Sequence, residues 1–153
     1  MSAVTFRVMP LDYLRNALAP RFEHAHWEEV GRDKRYKPDL HWDYYAALDK
    51  VGMLHILVMF VDGVPEGYFV GLLSEHLHYK TMRLFTSDMF YVSESYRASY
   101  GVKLFREAEA LARKLGAHKM HVTYKTYKSI EPIMRRLRFN PVEVVAVKNL
   151  DEV

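Results

Sequence analysis

Apolar positions recur with the period of a strand or a helix along most of the chain. Val4 to Val8 alternates as a strand, and apolar residues then return at helical spacing, at Leu11, Leu14, Leu18 and Phe22. Pro20 limits this predicted helix. The charged, patternless stretch 24–39 indicates a loop with a short helix. A second helix is predicted over residues 40–48, ending near Gly52.

The middle of the chain predicts a meander of antiparallel strands. Two apolar runs, Leu54 to Val61 and Val64 to Leu73, are separated by Asp62-Gly63. Asp-Gly between such runs favours a type I′ hairpin turn, because both central residues need a positive φ. A further strand is predicted from about Met82 to Val92.

The C-terminal half alternates helices and strands. An amphipathic helix is predicted over 99–115, a strand over 119–124, a helix over 130–137 with Ser129 as N-cap, and a last strand over 142–147. The order is strand, helices, three strands, helix, strand, helix, strand. We therefore expect a mixed α/β fold in which residues 1–153 form one domain.

Composition narrows the class of protein. The 153 residues are 50% apolar and contain no apolar run long enough to cross a bilayer, and the N-terminus does not have the pattern of a signal peptide. There are no cysteines, which excludes disulfides, thiolate metal sites and a cysteine nucleophile. We expect a cytoplasmic protein. Its net charge of +3 does not by itself favour a nucleic-acid partner.

The stretch from Asp88 to Val102 carries the chemical information. It predicts that a strand ends, a turn containing Arg97 follows, and a long helix begins near Gly101. Free backbone N–H groups and the positive end of a helix dipole would meet there, which favours an anion such as a pyrophosphate.

This stretch resembles the acyl-CoA-binding motif of the GNAT superfamily of N-acetyltransferases. Tyr96-Arg97 and the run from Gly101 to Glu109 match the motif, and the order of elements from about Leu40 to Leu150 is also similar. The turn is one residue shorter than the common form and has Ala98 and Ser99 in place of glycines. Compact turns of this kind resemble the bacteriophage-type branch. The resemblance implies a mostly antiparallel sheet that splays open between two parallel strands.

The resemblance also implies a cofactor site and partners. Acetyl-CoA would be the co-substrate and a small molecule or a protein the amine acceptor, with neither a metal nor a membrane involved. The backbone of Phe90, Tyr91 and Val92 would pair with the pantetheine arm. The pyrophosphate would be held by the backbone N–H groups of the turn, namely Arg97, Ala98, Ser99, Tyr100, Gly101 and Val102.

Direct acetyl transfer needs a base for the ammonium group and can use an acid for the departing sulfur. Among Glu75, His78 and Asp88, we expect Asp88 to be the base, with His78 second; a structural role in the sheet is the alternative for Asp88. The family's tyrosine acid is replaced by Met134. Tyr127 or Tyr124 could take its place, or solvent could protonate the thiolate.

Other features each keep more than one interpretation. His76 and His78 are predicted on one strand face, and His24 and His26 have the same spacing. These histidines are either ordinary polar or substrate-facing residues or metal ligands that lack an identifiable third partner. The aromatic region Trp27, Tyr36, Trp42, Tyr44 and Tyr45 could shape the amine pocket, pack in the core or form a homodimer contact. Arg135, Arg136 and Arg138, with three lysines near them in the sequence (Lys119, Lys125 and Lys128), form either a solvated helix face or a site for a polyanion or the CoA 3′-phosphate.

Three functions follow from these observations. The first is an acetyl-CoA-dependent N-acetyltransferase acting on an unidentified primary amine. The second is a non-enzymatic virion or host-interaction protein on the same fold, which the missing tyrosine favours. The third is an acyltransferase directed to nucleic acid, which the modest charge does not favour.

Overall fold

A computed structural model describes residues 1–151 of the chain. In chain order the elements are β1 (Val4–Met9), α1 (Leu11–Tyr13), a π-helical turn (Leu14–Leu18), α2 (Ala19–Val30), α3 (Trp42–Lys50), β2 (Leu54–Val61), β3 (Val64–Glu75), β4 (Arg83–Val92), α4 (Glu94–Lys114), β5 (Lys119–His121), a 3₁₀ turn (Thr126–Lys128) and α5 (Glu131–Arg136). No helix in this part of the chain is both long and apolar enough to cross a membrane.

The strands form one mixed sheet in the order β1-β2-β3-β4-β5. Neighbouring strands from β1 to β4 are antiparallel, and β4 pairs with β5 in parallel. The predicted hairpin is confirmed, since Asp62 and Gly63 have φ of 49° and 81° as a type I′ turn requires. The mixed α/β fold class is also confirmed.

Both faces of the sheet are covered, which gives two hydrophobic clusters. Leu104 and Ala108 of α4 are fully buried against one face, beside Phe69 and Phe85. Leu14 and Leu18 pack with Phe22 on the other face. The predicted helical stripe of α4 is therefore the buried one, and β4 lies between two apolar layers.

The first helix continues past Pro20, where the sequence predicts its limit. A π-helical turn precedes the proline, and the Ala19 N–H donates to the Leu14 carbonyl, five residues back. Pro20 then occupies the first turn of α2, where a missing N–H costs little. Because the helix does not stop, it runs on to Val30 and replaces the first part, residues 24–30, of the predicted loop 24–39.

Two predicted boundaries in the C-terminal half are wrong. Helix α4 begins at Glu94 rather than near Ser99 or Gly101, so the predicted turn is already helical. The predicted last strand, 142–147, is not paired with the sheet. Its valines are exposed: Val142 by 78%, Val144 by 92%, Val145 by 78% and Val147 by 84%.

Candidate active site

Strands β4 and β5 pair over only three positions and then separate. Their register runs from Leu84 opposite Lys119 to Thr86 opposite His121. The Ser87 hydroxyl accepts a hydrogen bond from the Thr123 N–H at 2.9 Å and closes the narrow end of the gap. Beyond it β4 continues to Val92, paired with β3 on its other side. The edge of β4 over 88–92 thus faces an opening, as the resemblance to the GNAT superfamily implies for two parallel strands that splay apart.

A bulge in β4 lies beside this opening. Gly71 faces Ser87 and Val70 faces Met89, so Asp88 is the extra residue. The Asp88 carboxylate accepts a hydrogen bond from the Tyr45 hydroxyl of α3 at 2.5 Å. Burial, followed by this bond, raises the pKa of Tyr45 far above its ordinary value, so the phenol remains a donor. Asp88 is therefore held toward α3.

Helix α2 and the bulge border a cavity of about 180 Å³ on the same side of the sheet. Met89 lines it from β4, and Glu23 and His26 line it from α2. The His26 Nδ1 lies 2.7 Å from the hydroxyl of Tyr68, another lining residue. The sequence draws attention to His26 only through its spacing from His24; its contact with Tyr68 joins residues 42 positions apart and could not be found there.

The two ionisable groups of the cavity differ in their surroundings. Burial lowers the pKa of His26 from its ordinary value; the nearby Glu29 raises it and Arg97 lowers it, and the imidazole is neutral at pH 7. Glu23 is half-buried and forms no hydrogen bond or ion pair with another residue of the described part of the chain. The cavity therefore offers one unpaired carboxylate and one neutral imidazole.

The predicted anion site has a different geometry from the expected one. Residues 97–102 lie inside α4, so their backbone N–H groups belong to the helix and not to a turn. Arg97 donates both terminal nitrogens to the Glu29 carboxylate, at 2.7 and 2.5 Å, and its Nε to the Val92 carbonyl at 2.7 Å. Lys128 lies 3.6 Å from the same carboxylate. Glu29 of α2 thus pairs with both Arg97, in the first turn of α4, and Lys128.

The other predicted site residues are separated. His78 lies in the 76–82 loop between β3 and β4, not on a strand face, and its N–H donates to His76 Nδ1. At about 3.4 Å per residue, the end of β4 nearest that loop is about 17 Å from Asp88. The Tyr127 hydroxyl donates to the Val30 carbonyl at 2.7 Å, and Met134 is buried in the core.

The described residues contain no group of three or more His, Asp or Glu side chains that could hold a metal ion. Of the aromatic region, Trp27 lines the cavity and Trp42 and Tyr45 pack against the α2 side of the core. Tyr36 and Tyr44 are exposed. The region therefore divides between cavity wall, core and surface.

No family model and no curated protein matches the sequence. Solved structures do match. A GCN5-related N-acetyltransferase from Ralstonia eutropha JMP134 has a TM-score of 0.75 at 20% identity, covering 96% of this chain and 99% of that chain. The fold is that of the GNAT N-acetyltransferases.

Two further structures with the GNAT fold differ in the acceptors that their names state. The aminoglycoside N-acetyltransferase AAC(6')-Iy, solved with CoA, has a TM-score of 0.68 at 16% identity and covers 99% of this chain and 97% of that chain. A ribosomal-protein-alanine N-acetyltransferase from Brucella melitensis biovar Abortus 2308 has the same TM-score and identity, covering 96% and 98%. The predicted GNAT fold is confirmed, and the bacteriophage-type branch stays a prediction.

Proposed function

We propose that this protein is an N-acetyltransferase that moves an acetyl group from acetyl-CoA directly to a primary amine. The observation that carries the proposal is the opening between β4 and β5 beside the Asp88 bulge. Strand β4 loses its parallel neighbour after Thr86, which leaves one backbone edge over 88–92 for an extended ligand. A pantetheine arm has amide groups that suit such an edge. The GNAT fold supports the same interpretation.

The chain fits the two ends of CoA unequally. The backbone of Phe90, Tyr91 and Val92 would hold the pantetheine arm. At the pyrophosphate end, the backbone N–H groups available at the start of α4 are those of Glu94 and Ser95. The Ser93 N–H already donates to the Glu66 carbonyl, and the Tyr96 N–H donates to the Ser93 carbonyl. Arg97 would reach the phosphates only after leaving Glu29. We infer that pantetheine contributes most of the binding.

The reaction would need no enzyme-bound acyl group. The amine nitrogen bonds to the thioester carbonyl carbon, the C–S bond breaks, and the thiolate leaves with the electron pair. The nitrogen releases its extra proton to solvent, and solvent protonates the thiolate. The ammonium proton must first go to a base. Asp88 borders the opening and is proposed for this role, whereas His78 is too distant. Tyr127 could act as an acid only after releasing the Val30 carbonyl. The chain has no cysteine to acylate.

Calorimetric titration tests the proposal directly. Acetyl-CoA should bind, and S-acetylpantetheine should bind with an affinity within about tenfold of it, because the pyrophosphate contributes little. Amines should then release free thiol above the hydrolysis background. Absence of heat and of thermal stabilisation with both thioesters would refute the proposal.

A second function is favoured by the Arg97–Glu29 ion pair and by the helical state of residues 97–102. Both leave fewer groups for the pyrophosphate, which fits a protein that has kept the GNAT fold without turnover. In that case CoA binds weakly or not at all and no amine releases thiol. If any amine releases thiol, and a β4 variant such as Asp88→Asn abolishes that release, the protein is an enzyme and this second function is refuted.

A further inference from the structure

The cavity beside Met89 points to a class of acceptor, an inference that rests on the proposed function. We propose that it receives the compact apolar body of a monoamine, whose ammonium group pairs with Glu23. The walls are apolar on several sides, with Leu14, Leu18 and Val30 among them. The volume of about 180 Å³ is close to that of an apolar cavity of about 150 Å³ that accepts benzene.

Charge supports the same class of ligand. A half-buried carboxylate without a partner is costly, and a ligand cation would remove that cost. Glu23 has no ion pair within residues 1–151, whereas Glu28 and Glu29 on the same helix are paired with lysine or arginine. His26 is neutral and does not repel a cation. The few polar groups of the wall do not suit a polyhydroxylated sugar.

The location connects the cavity with the opening in the sheet. Met89 lines the cavity and follows Asp88, the bulge residue that borders the opening. A group bound in the cavity therefore lies next to the edge of β4 where the thioester would be. The ammonium group would be deprotonated there before its nitrogen attacks the thioester carbon.

Binding of amines without any thioester tests the class of acceptor. Phenethylamine and isoamylamine should bind more tightly than glucosamine and spermidine, measured by calorimetry. Glu23→Gln should weaken phenethylamine binding at least about tenfold. Glu28→Gln, an exposed carboxylate one turn further along α2, should not change it. The inference is wrong if the sugar or the polyamine binds better, or if Glu23→Gln binds phenethylamine normally.

The outcome separates this inference from the proposed function. Phenethylamine binding that depends on Glu23, without thiol release, upholds the cavity assignment and refutes turnover. Thiol release with glucosamine but not with phenethylamine upholds the acetyltransferase and refutes the cavity assignment.

A second observation, independent of the first, concerns the extended segment 141–148. All eight residues are exposed, and the valines fall on both of its faces, Val142 and Val144 on one and Val145 and Val147 on the other. A strand that is apolar on both faces is typical of the interior of a sheet. Hydrogen bonds hold the chain on both sides of the segment. The Phe139 N–H donates to the Met134 carbonyl, and the Tyr36 hydroxyl donates to the Asp151 carboxylate.

The same chain has an edge that lacks a strand. Among residues 1–151, strand β5 is the last of the sheet and pairs only with β4. Near it the apolar side chains are only partly buried, namely Met120, Val122, Ile133, Leu137 and Phe139. We propose that segment 141–148 of one copy pairs with β5 of a second copy, and that the exchange is reciprocal. The β5 edge lacks a neighbouring strand, and segment 141–148 lacks a strand to pair with. In a twofold dimer each copy pairs its segment with the β5 edge of the other.

Light scattering coupled to size-exclusion chromatography tests this exchange. The wild-type protein should have twice the chain mass at about 50 µM. The double variant Val144→Lys, Val145→Lys should have the mass of one chain, because lysines on both faces oppose burial. Val51→Lys, at another exposed valine, should remain dimeric. A monomeric wild type, or a double variant that stays dimeric, would refute the exchange.

Hydrogen exchange locates the contact. In the dimer the amides of 142–147 and of β5 should exchange slowly, and in the double variant those of 142–147 should exchange freely. Slow exchange at 142–147 in a monomer would mean that the segment folds onto its own chain. Protection at β1 in place of β5 would assign the contact to the opposite edge. Either result overturns the proposal.

Discussion

His26 shows how an unremarkable sequence position becomes a chemically distinct one. Three elements surround it: Tyr68 from β3, Glu29 from its own helix, and Arg97 from α4. Burial is the largest influence and favours the neutral ring. The sequence shows neither the burial nor the partners, because all but Glu29 come from distant parts of the chain.

The lowered pKa of His26 predicts a pH-dependent stability. Below about pH 6.5 the unfolded chain binds a proton at this position that the folded protein resists, so the free energy of unfolding should fall as the pH falls. Above about pH 6.5 both states are neutral there and the effect vanishes. When the free energy of unfolding in urea is plotted against pH between 5 and 8, the slope should be shallower for His26→Gln than for the wild type. His24→Gln, exposed on the same helix, should keep the wild-type slope.

Asp88 permits a separation of catalysis from structure. Asp88→Asn can still accept the Tyr45 hydrogen bond, so the melting temperature should change little. The amide cannot take a proton, and kcat for amine acetylation should fall at least about 100-fold. His78→Gln, in the distant loop, should leave kcat unchanged. Normal turnover by Asp88→Asn would make the carboxylate a structural residue.

At the scale of elements, the sequence correctly predicted the features that depend only on adjacent residues. The Asp62-Gly63 turn depends on two adjacent φ values, and the hairpin formed as expected. The prediction that Pro20 limits the first helix was wrong because a π-helical turn rearranges the backbone hydrogen bonds before the proline. The valines of 142–147 predicted a last strand, but the structure leaves this segment exposed and unpaired. Apolar β-branched residues indicate a preference for strand, but they do not identify a neighbouring strand to pair with.

The contact between α2 and α4 predicts a competition for Arg97. Glu29 holds this guanidinium in a partly buried, bidentate pair that phosphate oxygens could replace. Glu29→Gln should therefore raise acetyl-CoA affinity several-fold while leaving S-acetylpantetheine affinity unchanged. Titration calorimetry measures both. Glu109→Gln, which breaks an exposed pair with Arg113, should alter neither. Equal gains for both thioesters would show that Arg97 does not contact the phosphates.

At the scale of the whole molecule, the GNAT fold persists at 20% identity or less in the structures compared. A fold shared so widely cannot specify the acceptor. The sequence predicted that strand β4 is followed by the long helix α4, but not that this helix begins at Glu94. The cavity could not be predicted, since its walls come from the π-helical turn, α2, the loop after α2, β3 and β4.

Two glycines differ in their importance for the fold: Gly71 is required by core packing, whereas Gly101 is not. A Cβ at Gly71 would lie 2.2 Å from the Phe85 ring in the core, so Gly71→Ala should destabilise the protein by about 1–3 kcal/mol. A Cβ at Gly101 meets nothing within 4 Å, and Gly101→Ala in α4 should stabilise it by about 0.5–1 kcal/mol. Urea unfolding measures both.

The effect of Gly101 on acetyl-CoA then decides how the anion is bound. If the pyrophosphate touches the backbone of α4 near Gly101, a β-branched residue there must block it, and Gly101→Val should bind acetyl-CoA poorly while binding S-acetylpantetheine normally. If the phosphates meet only the first turn at Glu94 and Ser95, both thioesters should bind Gly101→Val as they bind the wild type. We expect the second result, because residues 97–102 are helical and the first-turn N–H groups lie nearer the opening beside Val92.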